Sequence, residues 1–126
     1  MNRYVEFNPN PECKQTGDCT VRAICAATGQ SWEAVYLWLA LYGLMYADEP
    51  TANYVWGAYL RRNGYTRHLV DDSNRDGYTV YDFAADHPDG VYILGTGTHV
   101  VTVRDGKYYD AWNSGGEKPI YFYTKE

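Results

Sequence analysis

Asp105-Gly106 stands between two runs of strand-forming residues, residues 99–104 before it and residues 107–112 after it. Asp-Gly is a preferred pair for a two-residue hairpin turn, in which both loop residues need positive φ. The dipeptide therefore predicts an antiparallel hairpin and its register. Arg104 faces Lys107, Val101 faces Asp110 and His99 faces Trp112. Positions directly opposite, and those two further along, share one face of the sheet. His99 and Asp110 become diagonal neighbours on that face, roughly 7–8 Å apart at the backbone, and their side chains can meet. Asn113 falls on the opposite face while the strand stays regular, but it sits where the strand ends.

Two more strands complete the C-terminal third. Val91-Tyr92-Ile93-Leu94 reads as a buried strand, and residues 120–123 give a last one. The earlier chain reads as helical. A first helix covers about residues 19–28 and stops at Gly29, with Val21, Ile24, Cys25 and Thr28 at i, i+3, i+4, i+7 on its buried face. Ser31 caps a second, with Trp32, Val35, Tyr36, Leu39 and Ala40 inward and an end near Tyr42, before Gly43. Thr51 caps a third, through Tyr54, Val55, Ala58 and Tyr59 to Asn63-Gly64. Residues 65–70 form a short strand, residues 71–77 a polar turn, and residues 80–86 a short helix capped by Thr79. Residues 1–16 read as irregular, with turn-rich Asn8-Pro9-Asn10-Pro11. Helices first and a C-terminal antiparallel sheet second make an α+β arrangement, in one domain over residues 1–126.

Gly17-Asp18-Cys19 runs straight into the first helix. Asp18 is a good N-cap residue. Cys19 then lies on the first turn, where free amides and the positive end of the helix dipole favour a thiolate. A histidine beside a cysteine takes its proton, and a carboxylate beside the histidine fixes the tautomer and stabilises the charged ring. Cys19, His99 and Asp110 thus have the chemical types of nucleophile, general base and orienting group, with Asn113 as the alternative orienter. An acyl-transfer intermediate also needs donors for its oxyanion. The Cys19 amide and the side chain of Gln15 are the candidates.

Other chemistries find less in the chain. Net charge is −5 with no basic run, which argues against nucleic acid, since phosphate neutralisation needs clustered Lys and Arg. No stretch reaches the ~20 apolar residues of a membrane span. Met1-Asn2-Arg3-Tyr4 leads into no apolar segment, so no signal peptide and a cytoplasmic location are expected. Three cysteines are an odd count and suggest free thiols in a reducing compartment. Cys13, Cys19 and Cys25 are six apart, unlike the short Cys pairs of structural zinc, so no metal and no cofactor are expected. Cys25 lies on the core stripe and reads as structural, Cys13 as an inert loop thiol. His68 and His87 read as surface or satisfied residues.

The order of these parts resembles the papain-like cysteine peptidase superfamily, in its small bacterial- or phage-type members such as bacteriocin-processing peptidases. The resemblance is carried by Gly17-Asp18-Cys19 at a helix start, Thr98-His99-Val100-Val101-Thr102-Val103 opening a strand, and Tyr108-Tyr109-Asp110 on its partner. It implies a helical half packed on an antiparallel sheet with the cleft between them. It also implies an oxyanion glutamine upstream of the cysteine. The position six before Cys19 is held by Cys13, and Gln15 lies four before it. The expected function is a cysteine hydrolase, a peptidase or isopeptidase, acting on a peptide or protein through a thioester. The same triad would serve an acyltransferase of transglutaminase-like chemistry. A non-catalytic protein-binding module on this scaffold is the third possibility.

Overall fold

Asp105 and Gly106 take φ of 50° and 81° in the computed structural model, which describes residues 2–71 and 76–125. Both values lie where the hairpin turn needs them. The hairpin joins β4 (Val100–Arg104) to β5 (Lys107–Asp110), with Arg104 opposite Lys107 and Thr102 opposite Tyr109. Among the described residues the sheet has six strands, adding β1 (Tyr4–Glu6), β2 (Tyr65–Leu69), β3 (Val91–Gly95) and β6 (Tyr121–Lys125). Their order is β1-β5-β4-β3-β6-β2.

The sheet is mixed, which corrects the expectation of an antiparallel one. β1 lies parallel to β5, with Tyr4 opposite Tyr108 and Glu6 opposite Asp110. The other neighbours are antiparallel. β1 also corrects the irregular reading of residues 1–16. Three residues carry no usable alternation, so only the edge of β5, a hundred residues away, makes them a strand. The polar turn expected over residues 71–77 lies partly outside the described residues, which omit 72–75.

Four helices accompany the sheet among the described residues: α1 (Cys19–Thr28), α2 (Trp32–Tyr46), α3 (Asn53–Arg62) and α4 (Val80–Asp86). The first three cover one face, where Ile24, Leu39, Trp56 and Leu60 pack with Ile93 and Tyr123. α4 covers the other, where Val80 and Phe83 pack with Leu94, Val101 and Tyr108. Adjacent residues such as Ile93 and Leu94 serve opposite cores, as strand alternation requires. Thr79 and Asp82 cap α4 reciprocally.

α1 is buried from Thr20 to Ala26 without a break, so its burial is not confined to the predicted stripe. It is clasped by β4: Thr102 Oγ1 donates to the Ala23 carbonyl at 2.5 Å and Arg104 Nη1 to that of Ala26 at 3.0 Å. α2 runs four residues past its expected end at Tyr42. Gly43 is an interior helical residue, needed because a Cβ there would lie 2.8 Å from the Asp48 carbonyl oxygen. Residues 34–47 are uncharged all round, so periodicity does not select the inner face. Val35, Leu39 and Tyr42 are inside, while Tyr36, expected inside, is 49% exposed. α3 starts at Asn53 with Ala52 as its N-cap, not Thr51. Among the described residues, no helix is long and apolar enough to cross a membrane.

Candidate active site

Cys19 is the first residue of α1, and His99 precedes the first residue of β4. α1 packs along β4, and this brings the two side chains to one cleft, close enough that each shifts the other's ionisation. The ring's Nε2 donates to Asp110 Oδ2 at 2.6 Å. Asp110, ionised, only accepts, so this bond assigns the proton and leaves Nδ1 for the thiol. The backbone of Val100 also favours the ionised sulfur. Trp112 lies against the His99 ring, centroids 4.7 Å apart, and covers it on the solvent side.

The support for this row is a buried chain of alternating charge. Asp110 is 1% exposed and its carboxylate is saturated. Oδ1 accepts from Nε and Nη2 of Arg22, both at 2.9 Å, and from the Ala111 amide at 2.8 Å. Oδ2 accepts from Ser114 Oγ at 2.6 Å as well as from His99. Arg22 turns its Nη1 to Asp18 Oδ1 at 2.7 Å, and Trp32 Nε1 holds the other Asp18 oxygen at 2.8 Å. A buried ion pair is stable only when its remaining hydrogen-bonding capacity is met. Here two carboxylates share one guanidinium, and the imidazolium adds the second positive charge.

These contacts set the protonation states. Burial alone disfavours a charged His99, but the hydrogen bonds to Asp110 and Cys19 and their negative charges outweigh it, and its pKa rises to about 9. Burial likewise opposes the Cys19 thiolate. The His99 and Val100 hydrogen bonds and the charges of His99 and Arg22 prevail and lower its pKa. Asp110 is also held below its ordinary value, against burial, by His99, Ser114 and Arg22. Both shifts favour the thiolate–imidazolium pair over the neutral one. Cys25 is the opposite case: burial, with the nearby charges of Asp18 and Glu33, pushes its thiol up to about 12. Cys13 is exposed.

Asp18 sits at the N-cap of α1, but its side chain makes no capping bond. Its oxygens are committed to Arg22 and Trp32 instead. The first-turn amides thus keep no side-chain cap, and the Cys19 amide stays available to an oxyanion. A cleft of about 220 Å³ opens over Cys19, lined by Gly17, Thr20, Thr51, Asn53, residues 97–100 and Tyr121. Gln15 is exposed and outside this lining. Asn113 does not reach His99: its Oδ1 accepts from Tyr108 Oη at 2.6 Å and the Gly115 amide at 3.1 Å, closing the turn after β5. His87 Nδ1 bonds the Phe83 carbonyl at 2.8 Å and His68 pairs with Thr66, both away from the cleft. Among the described residues, no three His, Cys, Asp or Glu side chains converge as a metal site.

Sequence reasoning missed Arg22, Ser114 and Asn53. The Asp18–Arg22 spacing of four, with opposite charges at a helix start, was a usable signal. Ser114 and Asn53 had none. Asn53 lines the cleft, and Trp56 Nε1 donates to its Oδ1 at 3.1 Å. An indole N–H only donates, so this bond identifies the amide oxygen and leaves the Nδ2 hydrogens for another acceptor. Trp56 is 1% exposed and packed in the core, so the bond is held from a rigid element. The protein-family models, the curated proteins and the solved structures contain no match to this chain.

Proposed function

We propose that the chain is a cysteine hydrolase of papain-like architecture that cleaves an amide bond in a peptide or protein. The observation that carries this reading is Cys19 and His99 lining one cleft, each shifting the other's ionisation, with the ring's Nε2 locked on the buried Asp110. The Cys19 thiolate attacks the amide carbonyl carbon. The oxyanion accepts from the Cys19 amide and from Asn53 Nδ2, in place of the expected Gln15. The imidazolium of His99 gives its Nδ1 proton to the leaving nitrogen, the C–N bond breaks, and a thioester remains on Cys19. His99, now neutral, takes a proton from water as the water attacks the thioester. Expelling the thiolate releases the acid, and the proton on His99 restores the starting ion pair. Asp110 keeps its charge throughout and stabilises the protonated ring in both halves.

The test uses p-nitrophenyl acetate as a generic acyl donor. Release of p-nitrophenol by the wild-type protein, lost in Cys19→Ala, is the expected result. Equal release by both proteins would remove the catalytic reading. An added amine that diverts the acetyl group to amide in preference to water would identify an acyltransferase on the same residues.

Asn53→Ala separates the oxyanion from the nucleophile. Alkylation by iodoacetamide forms no oxyanion, whereas acylation does. Asn53→Ala is expected to leave Cys19 alkylation unchanged and to slow acylation by about 10²–10³-fold, the loss typical of one oxyanion donor. An unchanged acylation rate would take Asn53 out of the mechanism.

The ionisations also dictate a pH profile. Amide cleavage needs the thiolate and the protonated ring together. It rises with pH through an ionisation below the ordinary cysteine value and falls as His99 deprotonates at about 9. p-Nitrophenolate leaves without a proton, so ester acylation keeps the acid limb and lacks the alkaline fall. An alkaline fall shared by both substrates would assign that limb to another group.

A further inference from the structure

α2 is apolar on both of its sides. Val35, Leu39 and Tyr42 pack inward against the core shared with α1 and α3. Leu37, Trp38, Leu41, Leu44 and Met45 form a second stripe on the outside, with Tyr36 at its edge, and all six are between 44 and 79% exposed. Leu37, Leu41 and Leu44 are spaced four and three apart, and Trp38 and Met45 seven apart. That is the period of a seam between two helices.

The stripe is large. At roughly 200 Å² for a large apolar residue, the six expose on the order of 700 Å². The largest apolar patch on a typical monomer is about 300–600 Å². Two such faces pressed together remove on the order of 1,400 Å² from water, within the about 1,200–2,000 Å² of a stable specific interface.

The charges around the stripe narrow what covers it. Glu33 lies at its N-terminal end, Asp48 and Glu49 follow its C-terminal end, and residues 23–60 contain no Lys or Arg. An anionic bilayer surface holds a helix through Lys and Arg beside its apolar face. α2 has none, in a chain of net charge −5. A different protein is selected mainly by charges and polar groups that match its own. Residues 34–47 offer no charge to read. What the stripe matches is another helix of the same spacing and the same lack of charge. A second copy of this chain has both, and a two-fold axis through the stripe lets each copy use the same six residues.

We propose that the chain forms a homodimer in solution through the outer face of α2. Trp38 is the largest side chain of the stripe and the anchor that each copy buries on the other. No residue of α2 lines the Cys19 cleft, so the proposal is independent of the hydrolase reading.

Sedimentation equilibrium of the full chain over about 1–100 μM is expected to give a mass near twice the 14.4 kDa of one chain. An interface without ion pairs is insensitive to screening, so the dimer is expected to persist from low salt to about 1 M sodium chloride. Leu44→Lys sets a charge at the most exposed position of the stripe, and Trp38→Ala removes the anchor. Each is expected to weaken the dimer at least about thirtyfold, as loss of a hot spot does, with far-ultraviolet circular dichroism and the iodoacetamide rate at Cys19 unchanged. Leu69→Lys, on the exposed β2 edge of the sheet, is expected to leave the dimer intact. A monomer at every concentration would overturn the proposal, and binding to phosphatidylcholine vesicles in its place would assign the stripe to a bilayer. A dimer untouched by both α2 variants, lost in Leu69→Lys, or dissociated by salt would overturn it as well, because the contact would then lie elsewhere or rest on charge.

Discussion

At pH 6, iodoacetamide alkylates Cys19 severalfold faster than Cys13, and His99→Ala abolishes the difference. The direction follows from the thiolate fraction. An ordinary thiol with a pKa of about 8.5 is under ~1% ionised at that pH. The His99 ring, the Val100 backbone and the Arg22 charge raise the thiolate fraction at Cys19. Lower basicity makes each thiolate somewhat less nucleophilic, which trims the advantage without cancelling it. Removing the ring takes away both a hydrogen bond and a positive charge, while the burial that opposes ionisation remains. Cys25 stays unlabelled in the folded protein because it is buried and its pKa stands at about 12. Mass mapping of the alkylated peptides reads all three sites in one experiment. Equal labelling of Cys13 and Cys19, unchanged by His99→Ala, would show that no ion pair forms, and the proposed chemistry would go with it.

Arg22→Leu destabilises the protein by about 3–5 kcal/mol, the loss expected when one partner of a buried ion pair is removed. Asp18 and Asp110 are both buried, and the substitution removes the guanidinium that now faces both. Against a total of about 5–15 kcal/mol for a domain of ordinary stability, this is a large share. Urea unfolding of the two proteins measures it. A loss below about 1 kcal/mol would mean that Arg22 does not hold the two carboxylates together.

Acid attacks the same lock. The folded-state pKa of Asp110 is depressed, so its contribution is present above the unfolded value of about 3.9 and is lost as pH falls through the lower folded value. The unfolded chain then binds the extra proton, and stability drops toward low pH. Without Arg22, Asp110 is less depressed and that part of the acid sensitivity weakens. The slope of stability against pH in Arg22→Leu is therefore shallower than in the wild type below about pH 4.

Much of the architecture was written in short-range chemistry. Asp105-Gly106 specified a turn and a register, and the register placed His99 near Asp110 before any coordinates. Ser31 and Thr79 marked helix starts, because a cap is a bond between residues three apart. Gly43 misled for the opposite reason. Its role is to admit the Asp48 carbonyl, a packing constraint that looks like a helix stop in the sequence.

Other features depended on partners far along the chain. Tyr4–Glu6 became a strand only against β5. Arg22 reads as a polar residue on a helix until Asp110, 88 positions away, closes on it. Gln15 is the nearer glutamine in sequence, yet Asn53 is the amide that lines the cleft, because the tertiary fold brings the first residue of α3 to the same cleft as the first residue of α1. By itself the sequence determined the local elements, the hairpin register and the chemical types of Cys19, His99 and Asp110. The tertiary structure alone decided which buried charges meet and which side-chain amide lines the cleft. Those choices belong to contacts between distant segments, and no local pattern of residues encodes them.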